Sequence, residues 1–124
     1  MNLKIIRLTK LNRKKYQRSI SILRTMGAIV TDSKPYVGML DKETKKIVAC
    51  IWIDPMNEMS IVTHENYRRF GLMTMLIDFM KNEVYLNRLD EINASPINSI
   101  SKRIFKKAGF KRCEMPGYYE YSID

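Results

Sequence analysis

Apolar positions along this chain switch between a two-residue and a helical period, and the switches mark out its elements. Residues 3–8 carry a short apolar run that predicts a strand. Over residues 10–26, Tyr16, Ile20, Leu23 and Met26 recur at helical spacing, which predicts one or two helices with a buried stripe, ended by Gly27. Residues 35–41 and 46–53 hold Tyr36, Val37, Ile47, Val48, Ile51, Trp52 and Ile53 around the polar turn Asp41-Lys42-Glu43-Thr44-Lys45, as two hairpin strands would. A strand near 58–63 follows, then Leu72, Leu76, Phe79, Met80 and Val84 predict a helix over 71–86. A short strand near 90–95, a helix near 98–108 and a strand near 117–123 complete the order β-α-β-β-β-α-β-α-β. That order suits an α/β (α+β) fold with a central mixed sheet and helices on both faces.

At 124 residues and 45% hydrophobic content, the chain supports one domain over 1–124 with no room for a second. Its apolar runs are too short and interrupted to span a membrane, and the N-terminus lacks the apolar core of a secretory signal, so a soluble, cytoplasmic protein is expected. Cys50 lies in an apolar run and Cys113 in a polar segment, without metal-ligand spacing, and both are expected to be reduced thiols. No metal site is expected. The net charge of +9 is uneven: residues 1–31 hold eight Lys or Arg and no acid, which leaves +1 for the rest. A second acid-free cluster comprises Lys102, Arg103, Lys106, Lys107, Lys111 and Arg112. Solvated helix faces account for most such runs, and contact with nucleic acid or an acidic protein is the alternative.

The segment Tyr67-Arg68-Arg69-Phe70-Gly71-Leu72-Met73-Thr74 joins the strand Met59-Ser60-Ile61-Val62-Thr63 to a helix through a basic, glycine-containing turn. The first turn of a helix has N–H groups without intrahelical acceptors and a partial positive charge. Gly71 allows close approach of a ligand, and Arg68 and Arg69 add positive potential, so the segment reads as an anion cradle. Thr63-His64-Glu65-Asn66-Tyr67-Arg68-Arg69-Phe70-Gly71-Leu72-Met73-Thr74-Met75-Leu76 resembles the acyl-CoA motif of the GNAT superfamily of N-acetyltransferases, with departures at Thr63, Glu65 and Met73. The Gly-Leu-Met-Thr run is similar to the ribosomal-protein acetyltransferase branch. A second signature of the superfamily matches at Asn98, Ser101, Phe105, Gly109 and Phe110.

The resemblance implies acetyl-CoA as co-substrate and an amine-bearing acceptor, small molecule or protein, with pairing through the C-terminal strands as one route to a homodimer. It implies that Ile61, Val62 and Thr63 lie along the pantetheine arm, where a bulge would aim an N–H at the thioester carbonyl. Arg68, Arg69, Phe70, Gly71, Leu72, Met73 and Thr74 would surround the pyrophosphate, and Asn98, Ser101 and Phe105 would border the cofactor. Glu58 stands where the ribosomal-protein branch carries an acid and is the expected general base, with Asp54 the nearest alternative. A base working near neutrality needs a desolvated carboxylate, which burial of Glu58 would supply, and an exposed strand-edge carboxylate is the alternative. Ser101 is placed to hydrogen-bond the leaving sulfur, because Phe105 replaces the Tyr that often supplies the proton and cannot donate one. Asn98 also suits an N-cap, His64 an exposed loop and Trp52 the core. A direct ternary mechanism is expected, since no cysteine is placed as a nucleophile. The rival is a non-catalytic protein of the same fold that binds nucleic acid or an acidic protein through its basic N-terminal helix.

Overall fold

In the computed structural model, which describes residues 2–123, the strands form two antiparallel sheets that meet at a fork. Strands β1 (Leu3–Arg7), β2 (Lys34–Asp41), β3 (Lys46–Ile53) and β4 (Met59–Thr63) form the first, in the order β1-β2-β3-β4. Strands β5 (Ile92–Ala94), β6 (Lys111–Arg112) and β7 (Tyr119–Tyr121) form the second, in the order β5-β7-β6. A parallel bridge between Glu58 and Asn93 joins β4 to β5 at their starts. The mixed character expected of the sheet resides in that one junction.

Helices cover both faces of the first sheet. Before β2 come α1 (Lys10–Lys15) and α2 (Gln17–Arg24), and after β4 a 3-10 turn (Glu65–Tyr67) leads to α3 (Leu72–Tyr85). Helix α4 (Ser99–Lys107) joins β5 to the two-residue β6, an element the sequence pattern did not reveal because two exposed basic residues carry no periodicity. Thr9 opens α1 with a capping box to Asn12, and the helical path breaks at Tyr16. The stripe of Tyr16, Ile20, Leu23 and Met26 packs with Cys50, Trp52 and Val62 on one face of the sheet. On the other face Leu72, Leu76, Ile77, Met80 and Val84 of α3 pack with Val37, Met39, Ile51 and Met59, in a cluster that continues through Phe105 of α4 and Ile92 and Tyr119 of the second sheet.

Burial on both faces explains why β3 reads as an unbroken apolar run rather than an alternation. The β2–β3 register shifts twice, between Pro35 and Val37 and between Met39 and Leu40. At the second shift Val48 and Ala49 both enter the α3 cluster, as neighbours in a bulge can. Gly27 lies beyond the C-cap of α2, Thr25, and serves for close approach: a Cβ there would lie 2.8 Å from Val62 Cγ2. Glu83, on α3, is fully buried. Arg7 binds it through Nε (3.0 Å) and Nη2 (2.6 Å), Tyr36 Oη donates at 2.8 Å and Arg88 Nη1 at 2.9 Å. Burial alone would raise its carboxyl, but the hydrogen bonds from Arg7, Arg88 and Tyr36 more than offset this and hold it at about 2, against an ordinary 4.5. Burial, then the bond to Glu83, pushes the Tyr36 phenol up to about 12. Among the described residues, no helix is long and apolar enough to cross a membrane.

Candidate functional site at the fork between the sheets

The site grows from the parity of hydrogen bonding along β4. Asp54 donates its N–H to the Glu58 carbonyl at 3.1 Å, and His64 donates to the Val48 carbonyl at 2.8 Å. Backbone groups alternate sides along a strand, so Glu58, Ser60, Val62 and His64 face β3. Those of Ile61 and Thr63 therefore face the opposite edge, where β5 has already diverged. The β3–β4 register runs from Ala49↔Thr63 to Ile53↔Met59 without a shift, so the expected bulge in β4 is not there. Regular alternation alone turns these groups outward, and the chain leaves an open strand edge in its middle.

The β4 edge ends at the cradle. Arg68 Nε donates to the Thr63 carbonyl at 3.2 Å, and Tyr67 Oη donates to Asp41 Oδ2 at 2.7 Å, which ties the cradle loop to the β2–β3 turn. Hydrogen bonding to Tyr67 holds the Asp41 carboxyl below its ordinary range, and the same bond raises the Tyr67 phenol. His64 accepts from the Asn66 N–H at 3.1 Å through Nδ1 and caps the 3-10 turn. Gly71, at φ +70° and ψ 22°, begins α3 in the left-handed region, and no side chain caps the helix. A Cβ on Gly71 would meet nothing within 4 Å, so the turn needs glycine for its conformation and the space in front of it is open. Arg68, Arg69, Phe70 and Thr74 are exposed, while Met73 is half-buried against the core.

At the other end of β4, the turn from Asp54 to Glu58 closes the fork. Asp54 Oδ1 accepts from the N–H of Met56 (2.9 Å) and of Glu58 (2.7 Å), with Asn57 at φ +63°. Asp54 is thereby a turn-forming residue, which leaves Glu58 as the carboxylate at the fork. The Asn93 N–H reaches the Asn57 carbonyl at 3.0 Å and Asn93 Nδ2 the Met56 carbonyl at 3.0 Å, fastening β5 to this turn. Ser95 Oγ donates to Glu58 Oε2 at 3.1 Å. Glu58 is half-buried, between the two alternatives, because the sheets diverge beside it.

The remaining positions divide by burial. Val62, Leu72 and Phe105 are core residues, at 4%, 2% and 3% exposure; Leu72 offers a ligand only its backbone, and Val62, expected along the pantetheine arm, turns its backbone to β3 and offers none. Phe105 packs edge-on against Phe110 with ring centroids 4.9 Å apart. Asn98 is exposed and accepts from the Ser101 N–H at 2.8 Å as the N-cap of α4, and Ser101 is half-buried. Burial pushes the Cys50 thiol up, and both cysteines are free. Trp52 is fully buried under α2. Sequence reasoning missed Ser95 and Asn93, whose roles depend on which strands diverge. It also missed the tie between Tyr67 and Asp41, for which the sequence carries no signal.

A family model described as the acetyltransferase (GNAT) family matches residues 7–110. No curated protein matches the sequence. Among solved structures, an acetyltransferase of the GNAT family from Staphylococcus aureus Mu50 is similar over 98% of this chain and 99% of its own, with a TM-score of 0.63 and 16% identity. The ribosomal-protein-S5-alanine acetyltransferase from Vibrio fischeri is similar over 100% and 94%, with a TM-score of 0.71 and 11% identity. A chain of the NatC complex bound to Gag peptide and CoA is similar over 97% and 96%, with a TM-score of 0.70 and 15% identity. At these identities the similarity is one of fold.

Proposed function

The chain belongs to the GNAT family of acetyltransferases, and from that premise we propose that it moves an acetyl group from acetyl-CoA to an amine, by direct attack in a ternary complex. The observation that carries this reading is the unpaired edge of β4 running into the uncapped first turn of α3. An extended pantetheine arm, with its two amides, suits an open strand edge. The pyrophosphate suits the free N–H groups of Leu72, Met73 and Thr74 with Arg68 and Arg69 alongside. Ile61 and Thr63 offer outward backbone groups, and the Ile61 N–H is the candidate donor to the developing oxyanion.

Glu58 would accept the proton of the attacking amine, directly or through water, while the C–N bond forms and the C–S bond of the thioester breaks. Ser95 is a positioning residue for Glu58, holding one carboxylate oxygen and leaving the other for the amine. The thiolate leaves with CoA, and Ser101 is the hydroxyl offered to it in place of a tyrosine. The acceptor is an amine on a small molecule or a protein, and the compartment expected is the cytoplasm.

Calorimetric titration with acetyl-CoA tests the reading. Binding in the micromolar range is expected, weakened at least tenfold, or about 1.4 kcal/mol, in Arg68→Ala and in Gly71→Glu. No heat at millimolar acetyl-CoA, with the protein folded by circular dichroism, would refute it.

A further inference from the structure

Away from the fork, helices α1 and α2 and the β2–β3 turn enclose a basic groove that the acetyl-transfer reading leaves unused. An open hollow of about 830 Å³ is lined by Lys14, Lys15, Gln17, Arg18, Ser21 and Thr25, among others. It continues through Lys15, Arg18 and Ile22 into a deeper one of about 360 Å³, whose far wall is Lys45 and Lys46. Ser19 joins the two walls: its Oγ accepts from the Ile47 N–H at 3.0 Å and donates to the Tyr16 carbonyl at 3.1 Å. Lys15 Nζ lies 5.5 Å from the centre of the Tyr16 ring. Among the described residues, none of Lys14, Lys15, Arg18, Lys45 and Lys46 has a carboxylate within salt-bridge distance.

We propose that this groove is a binding surface for the phosphodiester backbone of a nucleic acid. Five uncompensated cations along an open trough suit a chain of regularly spaced charges better than a small anion, which needs an enclosing pocket. Between the cations stand Gln17, Ser21 and Thr25, the hydroxyl and amide groups that ordinarily contact phosphate and sugar. An acidic protein would need an apolar anchor pocket, and the groove offers only the half-exposed Ile22 and the Tyr16 ring, which lies beneath Lys15. An anionic membrane would need a continuous apolar stripe, whereas the exposed Leu11 and Ile22 are separated by the cations themselves.

The test is fluorescence anisotropy of a short labelled RNA and a matched DNA duplex with the full chain, across a salt series. Each neutralised phosphate contributes about −0.7 (single strand) to about −0.9 (duplex) to the slope of log K against log salt, so engagement of most of the groove gives a slope near −3 to −4. Lys15→Gln/Arg18→Gln/Lys45→Gln is expected to weaken binding at least tenfold and to flatten the slope by about 2. Acetyl-CoA affinity should be unchanged in that variant, which separates this proposal from the transferase reading. Lys106→Gln/Lys107→Gln/Lys111→Gln removes the same charge elsewhere and should leave binding within about twofold. Equal losses in the two variants, absence of binding at low salt, or tighter binding of polyglutamate than of RNA would each overturn the proposal.

Discussion

Replacing Glu83 by Gln removes the buried charge that joins α3 to β1 and β2, and its cost can be worked out from the groups around it. The carboxylate accepts four hydrogen bonds, two from Arg7 and one each from Tyr36 and Arg88. A carboxyl at about 2 in place of 4.5 corresponds to roughly 3 kcal/mol favouring the ionised folded form. The guanidiniums of Arg7 and Arg88 are half-exposed, at 46% and 50%, and screening of those partners lowers the figure to about 2 kcal/mol. Near pH 7, Glu83→Gln should lose this together with the mismatch of an amide NH2 facing guanidinium donors, for about 2–4 kcal/mol in all. Because the folded carboxyl is depressed, its contribution is complete above pH 4.5 and disappears as the pH falls towards 2. Urea unfolding of both proteins across that range should show curves far apart at neutral pH that converge in acid. A gap that is the same at both ends, or smaller than about 0.5 kcal/mol at neutral pH, would refute the reasoning.

Gly27→Ala would place a methyl 2.8 Å from Val62, a branched side chain with no free end to move, and should destabilise by about 1–3 kcal/mol in thermal unfolding. Gly71→Ala has ample space but a left-handed backbone, so it should cost about 1–2 kcal/mol in thermal unfolding. Tyr67→Phe removes the hydroxyl that donates to Asp41 and should lower the midpoint of chemical unfolding, with weaker acetyl-CoA binding as the cradle loop loosens. Once an acceptor is in hand, Ser95→Ala should lower kcat several-fold while acetyl-CoA affinity stays the same, and Ser95→Thr should restore much of the loss.

Local pattern made the elements legible, and geometry beyond it stayed hidden. Each long segment was readable, because Leu72, Leu76, Met80 and Val84, or Ile20 and Leu23, bury one face at the period of their helix. The cradle was readable for the same reason: Gly71 and two arginines between a strand and a helix are a local arrangement. What escaped were the pairings at long separation. Glu83 reads as one more charge on α3, and only the approach of Arg7 and Tyr36, 76 and 47 residues away, makes its burial tolerable. The fork escaped in part, since Glu58 was picked out while its neighbour Ser95, 37 residues on, was not. The expectation of a bulge in β4 failed because outward amides need only the ordinary alternation of a strand.

That alternation also sets a clock along β4. Backbone N–H groups bonded across to β3 at Ser60 and Val62 can exchange with deuterium only when the sheet opens, whereas those of Ile61 and Thr63 face the gap between the sheets and need no such opening. Protection should therefore rise and fall residue by residue along the four consecutive positions 60–63. A molecule lying in the gap as an added strand would slow the fast members of the series and leave the slow ones as they are. The strand would record, amide by amide, whether the space beside it is filled.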